Sequence, residues 1–205
     1  NMTMEKKYWI LFAGAAITLG LLFIWLLPDG KKAEQPKTTP QPAQQENKDT
    51  RTKLEKVRDN RQPVRYTIQG KIVGNEEYRA IRITVDQSSR TVEVLRGYDG
   101  QVLKTQTTPN TFDAYSVFLR NIEKAGFSEV EEQEKDAPKI PESEQGACPF
   151  GKRYIYEIVG NGETQRLWSS TCGDNATFAG NSNSVRQLFT KQIPDYTKFV
   201  RGVDL

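Results

Sequence analysis

The chain has 205 residues, with 29 Lys and Arg against 26 Asp and Glu for a net charge of +3, and no histidine. That length suits one domain with appendages, and the weak, mixed-sign charge argues against a nucleic-acid binder. Without histidine there is no Ser-His or Cys-His nucleophile pair and no His-ligated metal centre. No P-loop, dinucleotide fingerprint, Cys-x-x-Cys pair or Gly-x-Ser-x-Gly elbow occurs either, so the sequence nominates no catalytic, cofactor-binding or metal-binding residue and no cofactor.

Residues 1–7 read as a short cytoplasmic tail ending in Lys6 and Lys7. Tyr8 to Leu27 follow without a charge, and Tyr8, Trp9 and Trp25 lie near the ends of the run. At ~1.5 Å per residue such a helix spans roughly 30 Å, the thickness of the hydrocarbon core, and its aromatic rings fall at the interface. The run is longer than a signal-peptide core and passes into Pro28-Asp29-Gly30 with no small-x-small cleavage site. A single-pass anchor embedded in the bilayer through residues 8–27 is therefore expected. Ala16 and Gly20 form a small-xxx-small pair that could support a weak homodimer. Lys31 and Lys32 balance Lys6 and Lys7, so the positive charges alone leave the orientation open.

Residues 28–62 read as a linker. Ala33 to Thr50 is rich in Pro, Gln and Thr and has no large apolar residue with which to offset ordering entropy. Residues 51–61 could form a short helix, but Leu54 and Val57 are the apolar residues there and make a poor core face, so a solvated stalk is expected.

Residues 63–205 read as an extracytoplasmic α+β domain. Strand patterns run from Arg65 to Val73, Tyr78 to Val85, Thr91 to Leu95 and Gln101 to Thr107, separated by turn residues. A helix follows from Phe112, with Phe112, Tyr115, Phe118, Leu119 and Ile122 at helical spacing and Gly126 as its stop. Glu129 to Gln145 is acidic and Pro-containing, expected as a short edge segment and then a solvated loop. The order then recurs: a strand from Tyr154 to Val159, a Gly-Asn-Gly turn, a strand from Gln165 to Thr171, and a helix from about Ser182 with Val185, Leu188 and Phe189 buried. The expected fold is an antiparallel sheet of about six strands with two helices on one face, and the recurrence suggests a ββα duplication.

If the second hairpin turns near Asn161, Cys148 and Cys172 fall opposite one another at its open end. A disulfide is expected there, and with it an oxidising compartment, which places the domain outside the cytoplasm at the cell membrane. Ser169-Ser170-Thr171-Cys172 with Arg186 resembles the catalytic strand of sortases, but that chemistry needs a histidine. Cys148-Pro149-Phe150-Gly151 resembles the reactive loop of subtilisin-inhibitor-like proteins, with Phe150 at the bond-presenting position. Gly173 to Ser184 offers a contact loop of small polar residues, with Asn175, Thr177, Phe178, Asn181 and Asn183 as candidate contacts beside Phe150.

Ala-Cys-Pro-Phe-Gly-Lys-Arg-Tyr-Ile-Tyr-Glu-Ile from Ala147, Leu-Trp-Ser-Ser-Thr-Cys-Gly from Leu167, and Leu188 to Tyr196 together resemble uncharacterised single-pass membrane-anchored exported proteins of Saccharibacteria-type candidate-phyla bacteria. That resemblance implies an exported, disulfide-bonded domain and no particular activity. The functional expectation is a membrane-anchored extracytoplasmic binding or envelope-structural module, not an enzyme, whose partner is an envelope protein or polymer. A protease inhibitor presenting Phe150 is the alternative, and an enzyme of unrecognised type the third.

Overall fold

The computed structural model describes residues 49–133, 144–173 and 176–205. The apolar run at 8–27 with its Ala16–Gly20 pair, the linker through residue 48, much of the acidic insertion and Asn175 lie outside the described residues. Among the described residues no helix is long and apolar enough to cross a membrane.

Six strands form one antiparallel sheet: β1 (Val64–Gln69), β2 (Arg79–Val85), β3 (Ser89–Arg96), β4 (Gln101–Pro109), β5 (Arg153–Ile158) and β6 (Gln165–Ser170), in the order β4-β3-β2-β1-β5-β6. Alternation divides the side chains between two faces. Val64, Tyr66 and Ile68 of β1 pair with Val85, Ile83 and Ile81 of β2 and with Ile158, Tyr156 and Tyr154 of β5, and this face carries the main core. The opposite face carries Arg65, Thr67, Gln69, Ala80, Arg82, Glu93, Arg153, Glu157 and Arg166, whose pairings follow the same register. The core face of β1, β2 and β5 is apolar, while the opposite face is mostly polar but includes the buried Ala80, Leu95, Ile155 and Trp168.

Four helical segments contribute to the core instead of the two expected: α1 (Lys53–Asp59), α2 (Phe112–Lys124), α3 (Ser182–Thr190) and α4 (Tyr196–Phe199). The solvated stalk expected over 51–61 is corrected by α1. Thr52 and Glu55 form a reciprocal capping box, with Glu55 N donating to Thr52 Oγ1 at 3.1 Å and Thr52 N to Glu55 Oε2 at 2.8 Å. Leu54 and Val57 are fully buried in the main core. Two apolar residues at i and i+3 cannot sustain a helix alone; their burial beside α2 does so.

In α2, Thr111 is the N-cap and Tyr115, Phe118, Leu119 and Ile122 are buried, but Phe112 is exposed, so the stripe begins one turn later than its spacing suggests. Gly126, at φ +79°, supplies the left-handed residue that ends the helix. Asn181 caps α3 by accepting from Ser184 N at 2.9 Å, and Val185 and Phe189 are its buried residues. Tyr66, Tyr156, Phe118, Phe127 and Phe189 form the aromatic centre beneath the helices, and Phe178 stacks on Tyr156 at 3.7 Å.

Candidate functional site

Strand direction gathers three connections at one end of the sheet: residues 70–78 after β1, the turn 97–100 after β3, and residues 144–152 before β5. The described chain comes in at the other end, where Lys56 lies 3.6 Å from both Asp49 and Glu163 of the β5–β6 turn. Between the three connections and the polar face of the sheet lies a cleft of about 530 Å³. That is inside the ~300–1,000 Å³ range of small-ligand sites.

Arg153 builds its base. The residue is 3% exposed, and its guanidinium donates to Gln69 Oε1 at 3.1 Å, Ala147 O at 3.3 Å and Gly70 O at 2.5 Å. A planar fork with five N–H groups can serve three fixed acceptors at once, which an ammonium cannot do as well. One side chain therefore joins the end of β1, the connection before β5, and β5 itself.

Tyr78 and Tyr98 form one wall, their rings stacked at 4.2 Å. Tyr78 is buried, whereas Tyr98 is 55% exposed. Tyr98 is nevertheless fixed: its hydroxyl donates to Val73 O at 2.8 Å, and its backbone N–H donates to Asn75 Oδ1 at 2.9 Å. Burial pushes the Tyr78 phenol above its ordinary range, and the neighbouring Arg153 acts in the opposite direction. The underside of the cleft is a small apolar cluster of Tyr78, Ala80 and Leu95.

Glu144 lies across from the tyrosines. It is 7% exposed; Oε1 accepts from Gln69 Nε2 at 3.1 Å and from Arg166, while Oε2 has no hydrogen-bond partner among the described residues. Arg166 is also held by Glu157 at 2.8 Å. Arg82 stands 3.6 Å from Glu93, and its buried Nε–H has no acceptor among the described residues. A buried polar atom left unpaired costs about 1–3 kcal/mol. Both unpartnered atoms are buried, and their side chains line the cleft together with the half-exposed ring of Tyr98.

The cysteines expected to meet do so. Cys148 and Cys172 form a disulfide with Cα atoms 5.5 Å apart. It pins the segment that carries Glu144 and Phe150. Gly151 N–H donates to Cys148 O at 3.1 Å, closing a turn with Pro149 and Phe150 at its centre, and Phe150 is 94% exposed at the tip. A Cβ on Gly151 would collide with Thr171 Oγ1 and the Cys148 sulfur, so only glycine fits beneath the bridge.

The other nominated residues do not gather around Phe150. Phe178 is buried against Tyr156, which corrects its expected place on a contact loop. Its segment runs along β6, where the Thr177 and Phe178 N–H groups donate to Trp168 O and Thr177 Oγ1 accepts from Trp168 N at 3.0 Å. Asn181 is spent on the α3 cap, and Asn183 Oδ1 accepts from Arg186 at 3.1 Å. Missing from the sequence reading were Tyr78, Tyr98, Arg82, Glu144 and Arg153. A faint signal existed in β2, where Arg82 alternates with Ile81 and Ile83 and so had to lie on the face away from the core. Glu144, expected on a solvated loop, is instead buried by its contacts with Gln69 and Arg166.

Among the described residues no group of His, Cys, Asp and Glu could hold a metal ion. A second concavity, of about 490 Å³, lies near the C-terminus and is spanned by the Lys71–Asp204 ion pair at 2.9 Å. No known family model and no curated protein matches this chain.

Proposed function

We propose that this chain is a membrane-anchored extracytoplasmic binding module that takes its ligand in the cleft between Tyr98 and Glu144. The observation that carries the reading is a concavity of about 530 Å³ whose lining joins the half-exposed, fixed Tyr98 ring to the charged side chains of Glu144, Arg82, Arg153 and Arg166.

An apolar run at 8–27 embedded in the bilayer, followed by a Pro/Gln-rich tether, would hold the domain at the membrane. The disulfide supports an oxidising compartment, hence an extracytoplasmic domain at the cell membrane. The resemblance of the cysteine-bearing segments to anchored exported proteins of Saccharibacteria-type bacteria agrees with the same reading. The partner would be an envelope protein or polymer, with no role for nucleic acid, cofactor or catalysis, and Ala16 and Gly20 could add a weak homodimer. A ββα duplication is supported by the order of elements: both later hairpins put their second strand at an outer edge and continue into a helix.

Phe150 favours a second reading, the protease inhibitor, because it is so exposed on a loop tied by a disulfide. Its Pro-led turn argues against that role, since a peptide read by a protease is held extended. Phe150 fits better as an apolar rim residue beside Ile72, whose N–H donates to Pro149 O at 2.8 Å.

The test is retention of the full chain, in detergent micelles, on envelope fractions. Retention lost on Tyr98→Ala but kept on Phe150→Ala is expected. Equal retention of all three forms would sink the cleft as the binding site, and protease digestion of the domain from the cytoplasmic side would sink the topology.

A further inference from the structure

We infer that the cleft is built for a carboxylate-bearing glycan segment; this rests on the binding-module reading and specifies its ligand. Three features decide between ligand classes. The first is main-chain supply: β1, β2, β3 and β5 are each paired on both sides, and at the edge strand β6, which lends Arg166, the main chain of Trp168 is already bonded to Thr177 and Phe178, so little free strand edge is offered to an extended peptide. Recognition must come from side chains, and Thr67, Gln69, Glu144 and Arg82 supply both donors and acceptors. Sugar hydroxyls are at once donor and acceptor, and they match a lining that carries both a carboxylate, Glu144, and guanidinium groups.

The second feature is Tyr98. One face of its ring lies on Tyr78, so the 55% of the residue left exposed includes the other face. Its hydroxyl and backbone bonds hold the ring still. A rigid aromatic face with its negative π-cloud turned outward is a platform for the C–H face of a pyranose.

The third feature is charge. Arg82, Arg153 and Arg166 line the cleft against Glu144 alone, so the lining is net positive. Arg153 is committed to Gln69 and two carbonyls, and Arg166 to Glu144 and Glu157. Arg82 is the least committed of the three, its side chain partly exposed and its Nη1 3.6 Å from Glu93. An Arg of that kind pairs with a carboxylate through two parallel bonds. A uronic-acid unit stacked on Tyr98 with its carboxylate on Arg82 and a hydroxyl on Glu144 would use all three.

The experiment titrates the full chain in detergent micelles with tetragalacturonate, its methyl ester, and an acidic peptide of equal charge, read by calorimetry. Saturable binding of tetragalacturonate is expected, weakened about tenfold or more for the ester and by high salt, which screens the exposed charge. Tyr98→Leu should weaken acid and ester alike, whereas Arg82→Gln should weaken only the acid. Equal binding of acid and ester overturns the carboxylate assignment. Binding of the peptide in place of the glycan overturns the glycan class and leaves the binding module standing. A chain that binds none of the three but is still retained by envelope fractions through Tyr98 also overturns the glycan inference alone.

Discussion

Removing the Cys148–Cys172 bridge by the double substitution Cys148→Ala/Cys172→Ala, or by reduction, should lower stability without dissolving the sheet. The cysteines are 24 residues apart in sequence. For a loop of that size the chain-entropy treatment gives about 3.5 kcal/mol. A body of this length moves its melting temperature by about 2–4 °C per kcal/mol, so the reduced form should melt about 7–14 °C lower. The segment keeps other ties, namely Ile72 N to Pro149 O at 2.8 Å and Arg153 to Ala147 O at 3.3 Å. Amide exchange should therefore quicken first around residues 146–151, while β1 and β5, interior to the sheet, stay protected. Far-UV circular dichroism with and without a phosphine reductant measures the shift, and exchange mass spectrometry locates it. A change below about 2 °C would refute the loop-closure reasoning, as would two free thiols in protein taken from cells.

Arg153→Met should destabilise by about 3 kcal/mol or more, because one buried and two part-buried acceptors lose a charged donor, and Arg153→Lys should cost less; urea unfolding ranks them. Leu54→Ala should cost about 2–4 kcal/mol, as for any fully buried leucine, and a near-neutral result would return α1 to the linker. Asp86 gives a pH signature: partial burial opposes its ionisation, yet hydrogen bonds from Ser88 and Ser89, at 2.6–2.8 Å, hold its carboxyl below the usual range. Its contribution, about 1 kcal/mol after solvent screening, is complete above the unfolded carboxylate range near pH 4 and is lost as pH falls through the depressed folded value. Asp86→Asn should flatten that acid limb of the stability profile, and an unchanged limb would count against the turn as its source.

The disulfide was legible because hairpin register is local: once the turn at Gly160 to Gly162 is located, strand alternation determines which residues face each other. The same locality made β1 to β6 and helices α2 and α3 readable from periods of two and of about 3.6. Helix α1 was not, since two apolar residues carry little pattern and gain their burial from α2, some sixty residues away. Helix α4 was missed for a similar reason; it is a single turn after Pro194, kept in place by Phe199 in the core.

The cleft belonged wholly to tertiary structure. Its members come from β1, β2, β3, β5 and β6, the turn after β3, and the connections after β1 and before β5, and none carries a motif. Phe178 shows the converse, a residue in a polar, Gly/Asn-rich stretch that looked like a surface loop until the ring of Tyr156 claimed it. By itself the sequence determined the strands, two helices, the pairing of the cysteines and the absence of histidine chemistry, because each depends on neighbours in the chain or on composition. Only the folded sheet decided which charges share a face, which of them lack partners, and that three separate connections meet at one end. Those depend on strand order, and strand order is set by long-range burial that no local pattern encodes.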